Sequence, residues 1–174
     1  MGTSLKHSSC DILPPVPSGF PRYKMQMIAW FAFFTATYYL VILFFPTLSS
    51  LLSLPESADE FCPDEKPCRR GDLFSFEVVS GIALMWCGIT GFYCWHVKGV
   101  HQAVPQTPEG RLFSYMKEAH LLTAVGTTFQ LFDLFISILI PDQRKILMLC
   151  HHSLAATVSW YGLNNQYFHY YGGQ

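Results

Sequence analysis

The feature that most constrains this chain is a long stretch, from Met25 to Pro55, without a single charged side chain. A helix of about 20 apolar residues is long enough to cross the hydrocarbon core of a bilayer. The rest of the 174-residue chain has the same character, because 51% of its residues are hydrophobic and only 13% are charged. Soluble domains carry about 25% charged residues. The sequence therefore predicts an integral membrane protein.

Four apolar segments predict an all-α fold, a polytopic membrane helix bundle of about four transmembrane helices. The first helix is expected to end near Pro46, because proline interrupts the hydrogen bonding of a helix. Glycines allow a neighbouring helix to approach closely in lipid, and the second segment contains Gly81, Gly88 and Gly91. We predict spans at residues 25–45, 78–97, 120–140 and 146–163, preceded by a flexible N-terminal tail at residues 1–24.

The orientation of the bundle is weakly encoded, because lysine and arginine are divided almost evenly between its two predicted sides. With the N-terminus in the cytosol, the loop after the first span lies on the lumenal side. Cys62 and Cys68 lie in that loop, in the segment CPDEKPC. A disulfide between them is one alternative in an oxidising compartment, and two free thiols are the other. No second cysteine and histidine pair is spaced for zinc, and we expect neither a metal nor a cofactor.

Polar residues interrupt the third and fourth predicted spans on either side of a short turn. At a rise of about 1.5 Å per residue, Asp133 and His151 lie roughly 12 and 9 Å from this turn. Antiparallel helices joined by a short turn pack side by side, so Asp133 and one of His151 and His152 are expected to lie close together. An isolated carboxylate in hydrocarbon costs about 2.5–3.5 kcal/mol, which a partner or a wet cavity offsets.

The adjacent histidines, His151 and His152, project about 100° apart on a helix. One can face a cavity while the other hydrogen-bonds within the bundle or orients Asp133. Imidazole titrates near neutral pH and serves as a general acid or base, or as an acyl acceptor. The structural alternative is an Asp–His pair that only locks two helices together. A metal site is less favoured, because the two histidines offer two ligands on diverging faces.

The segment GTTFQLFDLFISILIPDQRKILMLCHHSLAATVSWYGL, residues 126–163, resembles the centre of the TLC domain, a family of membrane proteins. In that family, a helix with an aromatic-Asp-aliphatic signature precedes a short loop and a helix that opens with a His-His pair. Phe132-Asp133-Leu134 and His151-His152 match both elements in order and spacing. The resemblance extends less specifically over a TLC-like transmembrane domain at residues 25–174.

The resemblance implies a helix bundle in the endoplasmic reticulum or a related membrane, surrounding a lipid-accessible cavity. The best-known enzymes of the family are ceramide synthases, which transfer an acyl group from fatty acyl-CoA to a sphingoid base. Carried over, His151 and His152 are the catalytic residues and Asp133 is an orienting or cavity residue. The expected partners are the bilayer and a lipid ligand.

The chain departs from the family pattern after the His-His helix, where the family domain continues with further helices and an acidic motif. We therefore expect a TLC-like domain that is incomplete at its C-terminus, either as a truncated member or as a chain completed by a partner. Two functions remain open. One is lipid metabolism or membrane-lipid homeostasis, including acyl transfer, and the other is a non-catalytic subunit or scaffold of a membrane protein complex. Nucleic acid is not an expected partner, because the sequence has no basic tract.

Overall fold

A computed structural model of the protein describes residues 19–52, 70–99, 107–113 and 117–165. Within these ranges the chain is helical and contains no β-strand, so the prediction of an all-α fold is confirmed. A π-helical segment, Tyr93–Val97, extends the second helix, and a 3-10 turn, Pro141–Gln143, connects the last two. The helices are α1 (Gly19–Leu51), α2 (Gly71–Phe92), α3 (Pro108–Phe113), α4 (Lys117–Leu139) and α5 (Ile146–Asn165).

Three segments of the described chain are long and apolar enough to cross a membrane: Tyr23–Leu51, Gly71–Val97 and His120–Leu139. They include the first two predicted spans and all but the last residue of the third, and they indicate a multi-pass membrane protein. The fourth predicted span, residues 146–163, forms helix α5, but α5 is not among these three segments. Its histidine, serine, threonine and asparagine side chains lower its hydropathy. A membrane crossing by α5 therefore stays a prediction.

Helix α1 is longer at both ends than the sequence predicts. It begins at Gly19, inside the segment expected to be a flexible tail, and it continues through Pro46 to Leu51. Proline removes one backbone hydrogen bond, but a full break of the helix in hydrocarbon leaves several polar backbone groups without partners. Continuing the helix is therefore the less costly arrangement, and the prediction that Pro46 ends it is wrong.

Helix α4 lies at the centre of the bundle and packs against α1, α2 and α5. The rings of Tyr38 and Phe132 lie 6.2 Å apart, centroid to centroid, where α1 runs parallel to α4. The rings of Trp30 and Trp86 lie 5.2 Å apart, where α2 runs antiparallel to α1. The main core lies between α1, α2 and α4. It consists of ten buried residues: Phe34, Tyr38, Phe76, Val79, Ala83, Val125, Phe129, Phe132, Ile136 and Ile140.

One end of the bundle, which we call the His120 end, brings together the starts of α1 and α4 and the end of α5. His120 is completely buried, and its Nε2 lies 3.1 Å from the carbonyl oxygen of Leu163. The last carbonyls of a helix have no donor within the helix, so a proton on Nε2 is well placed for donation to this oxygen. The His120 ring also lies 4.8 Å from the ring of Tyr23.

The opposite end, which we call the Arg70 end, is held by an ion cluster. Arg70 donates to both carboxylate oxygens of Asp72, at 2.9 and 2.8 Å, and its Nη1 lies 2.8 Å from Asp142 Oδ2. The hydrogen bond with Asp72 raises the pKa of Arg70 above its ordinary value, so the guanidinium stays charged. The cluster ties the start of α2 to the turn between α4 and α5.

The glycine prediction is wrong for Gly81 and Gly88 within the described chain, because a Cβ at either position meets no atom of another described residue within 4 Å. The close approach occurs instead at Gly71, the first residue of α2. A Cβ there lies 2.8 Å from Cδ1 of Phe45 on α1. Among the α2 glycines with a described environment, Gly71 is therefore one at which α1 and α2 approach each other closely.

Candidate functional site

Asp133 on α4 and His152 on α5 form a buried acid–imidazole pair. His152 Nδ1 lies 2.8 Å from Asp133 Oδ2, and the two residues are 7% and 5% exposed. The prediction that Asp133 lies close to one of the two adjacent histidines is confirmed. The pair lies between two packed helices rather than on the outer surface of the bundle, where the carboxylate would face lipid.

The local sequence explains why these two side chains meet. The short turn Pro141–Gln143 makes α4 and α5 antiparallel neighbours and brings the two residues to similar depths. Phe132, next to the aspartate, packs its ring against α1, so Asp133 projects towards another side of α4. On α5, the small residue Ala156 is buried one turn after His152 and allows the two helices to pack closely there.

The contact between the two side chains is close but does not have the geometry of an aligned N–H···O hydrogen bond. Asp133 Oδ1 and His152 Nε2 are also buried and have no hydrogen-bond partner within the described chain. A buried polar atom without a partner costs about 1–3 kcal/mol. A ligand hydroxyl or amine that hydrogen-bonds to these atoms therefore removes this cost and binds more tightly.

The neighbouring His151 takes a different position. Its ring lies 5.3 Å from the His152 ring, at an interplanar angle of 71°, and its side chain is exposed on the surface of α5. The structure thus brings His152 and Asp133 together and leaves His151 outside the buried contact. The catalytic roles predicted for these three residues stay predictions.

Further polar side chains lie near the pair and were missed in the sequence. Gln130 and Ser137 lie about one turn on either side of Asp133, and Gln130 Oε1 and Ser137 Oγ are buried without hydrogen-bond partners in the described residues. The spacing of 130, 133 and 137 places all three on one face of a helix, which is the signal that could have identified them. Glu77 on α2 is a further acidic residue within the spans, and its side chain is exposed.

An apolar groove of about 600 Å³ lies between α1, α4 and α5, but neither Asp133 nor His152 lines it. On α4 it is lined by Thr128 and Leu131, and Leu131 projects from the side of the helix opposite Asp133. The groove is therefore separate from the acid–imidazole pair. The lipid-accessible cavity that the TLC resemblance implies around the histidines is a different feature, and it stays a prediction.

Metal ligation finds no support in the residues that the structure describes, since no group of three or more histidine, cysteine, aspartate or glutamate side chains there could hold an ion. Cys62 and Cys68, the predicted disulfide partners, lie outside the described residues.

Comparisons with family models, curated proteins and solved structures found no match to this chain.

Proposed function

We propose that this protein is a multi-pass membrane protein of TLC type that acts on membrane lipids. In this proposal His152 is the catalytic base and Asp133 positions it. The 2.8 Å approach of His152 Nδ1 to Asp133 Oδ2, buried between α4 and α5, carries the proposal. Ionisable groups within membrane spans are costly and commonly mark functional sites. The patterns Phe132-Asp133-Leu134 and His151-His152, which resemble those of the TLC family, support the same function.

The proposed reaction is acyl transfer from a fatty acyl-CoA thioester to the amine of a sphingoid base. In the proposed reaction the His152 ring turns so that Nδ1–H donates to Asp133 Oδ2, and the lone pair of Nε2 is then free to act as a base. The amine nitrogen attacks the thioester carbonyl while Nε2 takes the amine proton. The C–N bond forms, the C–S bond breaks, and the imidazolium returns the proton to the thiolate of coenzyme A. The products are an N-acyl lipid and free coenzyme A.

The two histidines have different parts in this scheme. His152 is the base, because it is the one in contact with a carboxylate. His151 is exposed beside it and is available to hydrogen-bond the carbonyl oxygen of the acyl donor. Asp133 is a positioning residue, since it acts through His152. We assign the protein to the endoplasmic reticulum or a related endomembrane, on the TLC resemblance alone.

The test uses the full chain purified into lipid nanodiscs and supplied with labelled fatty acyl-CoA and a sphingoid base. We expect the wild type to form the N-acyl product and His152→Ala to form at least about 100-fold less, because general bases contribute about 10²–10⁴-fold. Cys150→Ala, an exposed change on the same helix, is the matched control and leaves the rate unchanged.

The role of Asp133 needs a measurement that a purely structural residue does not affect. Asp133→Asn preserves the size of the side chain but removes its charge, so we expect a lower kcat and a displaced pH–rate profile while KM stays similar. Lipidomics of cells that express each variant extends the test to other acceptor lipids. A wild type without activity towards any lipid, or a fully active His152→Ala variant, contradicts the proposal.

A non-catalytic subunit of a membrane protein complex is the second candidate function. It is favoured by Glu77 and His151, which are polar residues exposed on the outer surface of apolar helices. Such residues in lipid pair with one another or with neighbouring proteins. Native gel electrophoresis of gently solubilised membranes tests this candidate. A larger complex that dissociates in Glu77→Leu, while Asp133→Asn remains assembled, supports the subunit role, and migration only as a monomer contradicts it.

A further inference from the structure

The groove between α1, α4 and α5 has the size of a ligand site. Its volume of about 600 Å³ falls within the range of about 300–1,000 Å³ that is typical of small-molecule pockets. It opens on the outer surface of the bundle, since Ile28 and Leu131 in its lining are 59% and 40% exposed. Its lining consists of Lys24, Met27, Ile28, Phe31, Ala32, Thr35, Ala36, Thr128, Leu131 and Trp160.

The groove is polar at one end and apolar along the rest of its length. Lys24 follows Tyr23, whose ring contacts His120, so the ammonium-bearing residue lies at the His120 end of the bundle. Trp160 on α5 lies at the same end, close to Leu163. Ala36 lies about 18 Å further along α1, at a rise of about 1.5 Å per residue. The groove therefore runs from the end of the bundle towards its middle.

This polarity matches that of a lipid lying along the groove. Of the described residues that line it, only Lys24 carries a charge, and that charge is positive. Lysine near the end of a span extends its ammonium to the headgroup region, and tryptophan is enriched at the same level. The remaining lining offers a continuous apolar surface for a hydrocarbon chain.

We propose that this groove binds one acyl chain of an anionic membrane lipid, with the lipid phosphate or carboxylate against the ammonium of Lys24. Charge complementarity selects an anionic headgroup over a zwitterionic one, and Phe31, Ala32 and Leu131 contact the acyl chain. The site lies on the side of α4 away from Asp133. Its occupancy therefore does not depend on the acyl transfer proposed above.

Trp160 provides a direct probe of occupancy, because bromine on an acyl chain quenches tryptophan fluorescence on contact. The full chain is placed in nanodiscs of zwitterionic phosphatidylcholine that contain small fractions of dibrominated phosphatidylglycerol or dibrominated phosphatidylcholine. The signal of the groove is the quenching that disappears in Trp160→Phe. We expect phosphatidylglycerol to produce half-maximal quenching at an about fivefold lower mole fraction, the effect of one basic residue near an anionic lipid.

Two pairs of variants separate the groove from general contact with the bilayer. Lys24→Gln removes the preference for phosphatidylglycerol, whereas Lys98→Gln, an exposed lysine at the same end of the bundle, preserves it. Ala32→Phe fills the groove and abolishes the quenching of Trp160. Ala29→Phe, an exposed alanine of α1 outside the lining, leaves the quenching intact.

Three results overturn the proposal. Equal quenching by both lipids that is insensitive to Lys24→Gln indicates ordinary contact with bulk lipid. Loss of the anionic preference in millimolar inorganic phosphate, with sodium chloride at equal ionic strength as the control, indicates a site for a soluble anion. A Trp160 that no brominated lipid quenches indicates that another protein helix covers the groove. Asp133→Asn leaves lipid binding unchanged, so failure of acyl transfer and failure of this site are distinguishable.

Discussion

The side chain of Asp133 lies against His152 but not against His151, and the sequence could not decide between the two. Adjacent residues of a helix differ by about 100° in direction, so a small rotation of α5 exchanges their positions. The rotation is set by packing, which buries Ala156 and His152 on α5. Matched depth predicted the contact between the two helices, whereas the choice of histidine required tertiary structure.

The acid–imidazole pair allows stability and function to be separated by substitution. Asp133→Leu or His152→Leu alone leaves one buried polar partner unpaired, and we expect each to lower the free energy of unfolding by about 1–3 kcal/mol. The double variant removes both polar groups and is expected to be at least as stable as the wild type, yet inactive. Unfolding in mixed micelles, measured beside acyl transfer, checks this. Activity in the stable double variant contradicts a functional role.

His120 is a second buried histidine, and its importance was not evident from the sequence, which predicts it only as the first residue of a span. His120→Ala removes the ring that lies 3.1 Å from the Leu163 carbonyl, so we expect a loss of about 1–3 kcal/mol and faster amide exchange in the last turn of α5. His96→Ala changes an exposed histidine and is expected to stay within about 0.5 kcal/mol. Equal effects of the two variants would show that His120 does not hold the helix ends together.

At the scale of the helices, hydropathy predicted where the spans lie but not how they pack. The positions of Gly81 and Gly88 resembled a packing face, yet no other described residue lies against either of them, and α2 approaches α1 closely at Gly71. Small residues permit close approach in lipid, but the choice among several glycines depends on the crossing of the helices. Local sequence does not contain that information.

Alanine substitution distinguishes the two kinds of glycine in α2. In Gly71→Ala the new Cβ lies 2.8 Å from the ring of Phe45, so either this ring or the helix must move, and we expect a loss of about 1–3 kcal/mol, as in overpacked cores. Gly81→Ala meets no atom and removes a flexible residue, so a gain of up to about 1 kcal/mol is expected. Thermal denaturation in one detergent measures both. A destabilised Gly81→Ala would indicate that another chain packs on that face.

For the whole molecule, the two pairs of antiparallel helices define which segments share an end of the bundle. The sequence predicted four apolar spans, because span length is fixed by bilayer thickness, and it predicted the antiparallel pair α4 and α5 from their short turn. It did not predict the aromatic core that joins α1 to α4 or the ion cluster at Arg70. Both depend on residues distant in the chain, and charge and hydropathy patterns do not record such pairings.

Labelling of introduced cysteines tests whether α5 crosses the membrane with the other helices. Lys98→Cys marks the His120 end and Arg144→Cys marks the Arg70 end, each in a chain whose native cysteines are replaced. In sealed vesicles, we expect an impermeant maleimide to label one site before lysis and the other only after it. Asn164→Cys follows α5 and is expected to label with Lys98→Cys. Labelling of Asn164→Cys together with Arg144→Cys would show that α5 does not cross.

The proline within α1 has a consequence for how the protein fits membranes of different thickness. The apolar segment Tyr23–Leu51 has 29 residues and is about 43 Å long, whereas hydrocarbon cores average about 30 Å. Pro46 has no N–H to bond the carbonyl of Ile42, so the backbone hydrogen bonding of α1 is interrupted at this position. A helix of this length fits such a core by tilting or by extending its last turns beyond the hydrocarbon, and Pro46 marks the position where its backbone bends at the least cost.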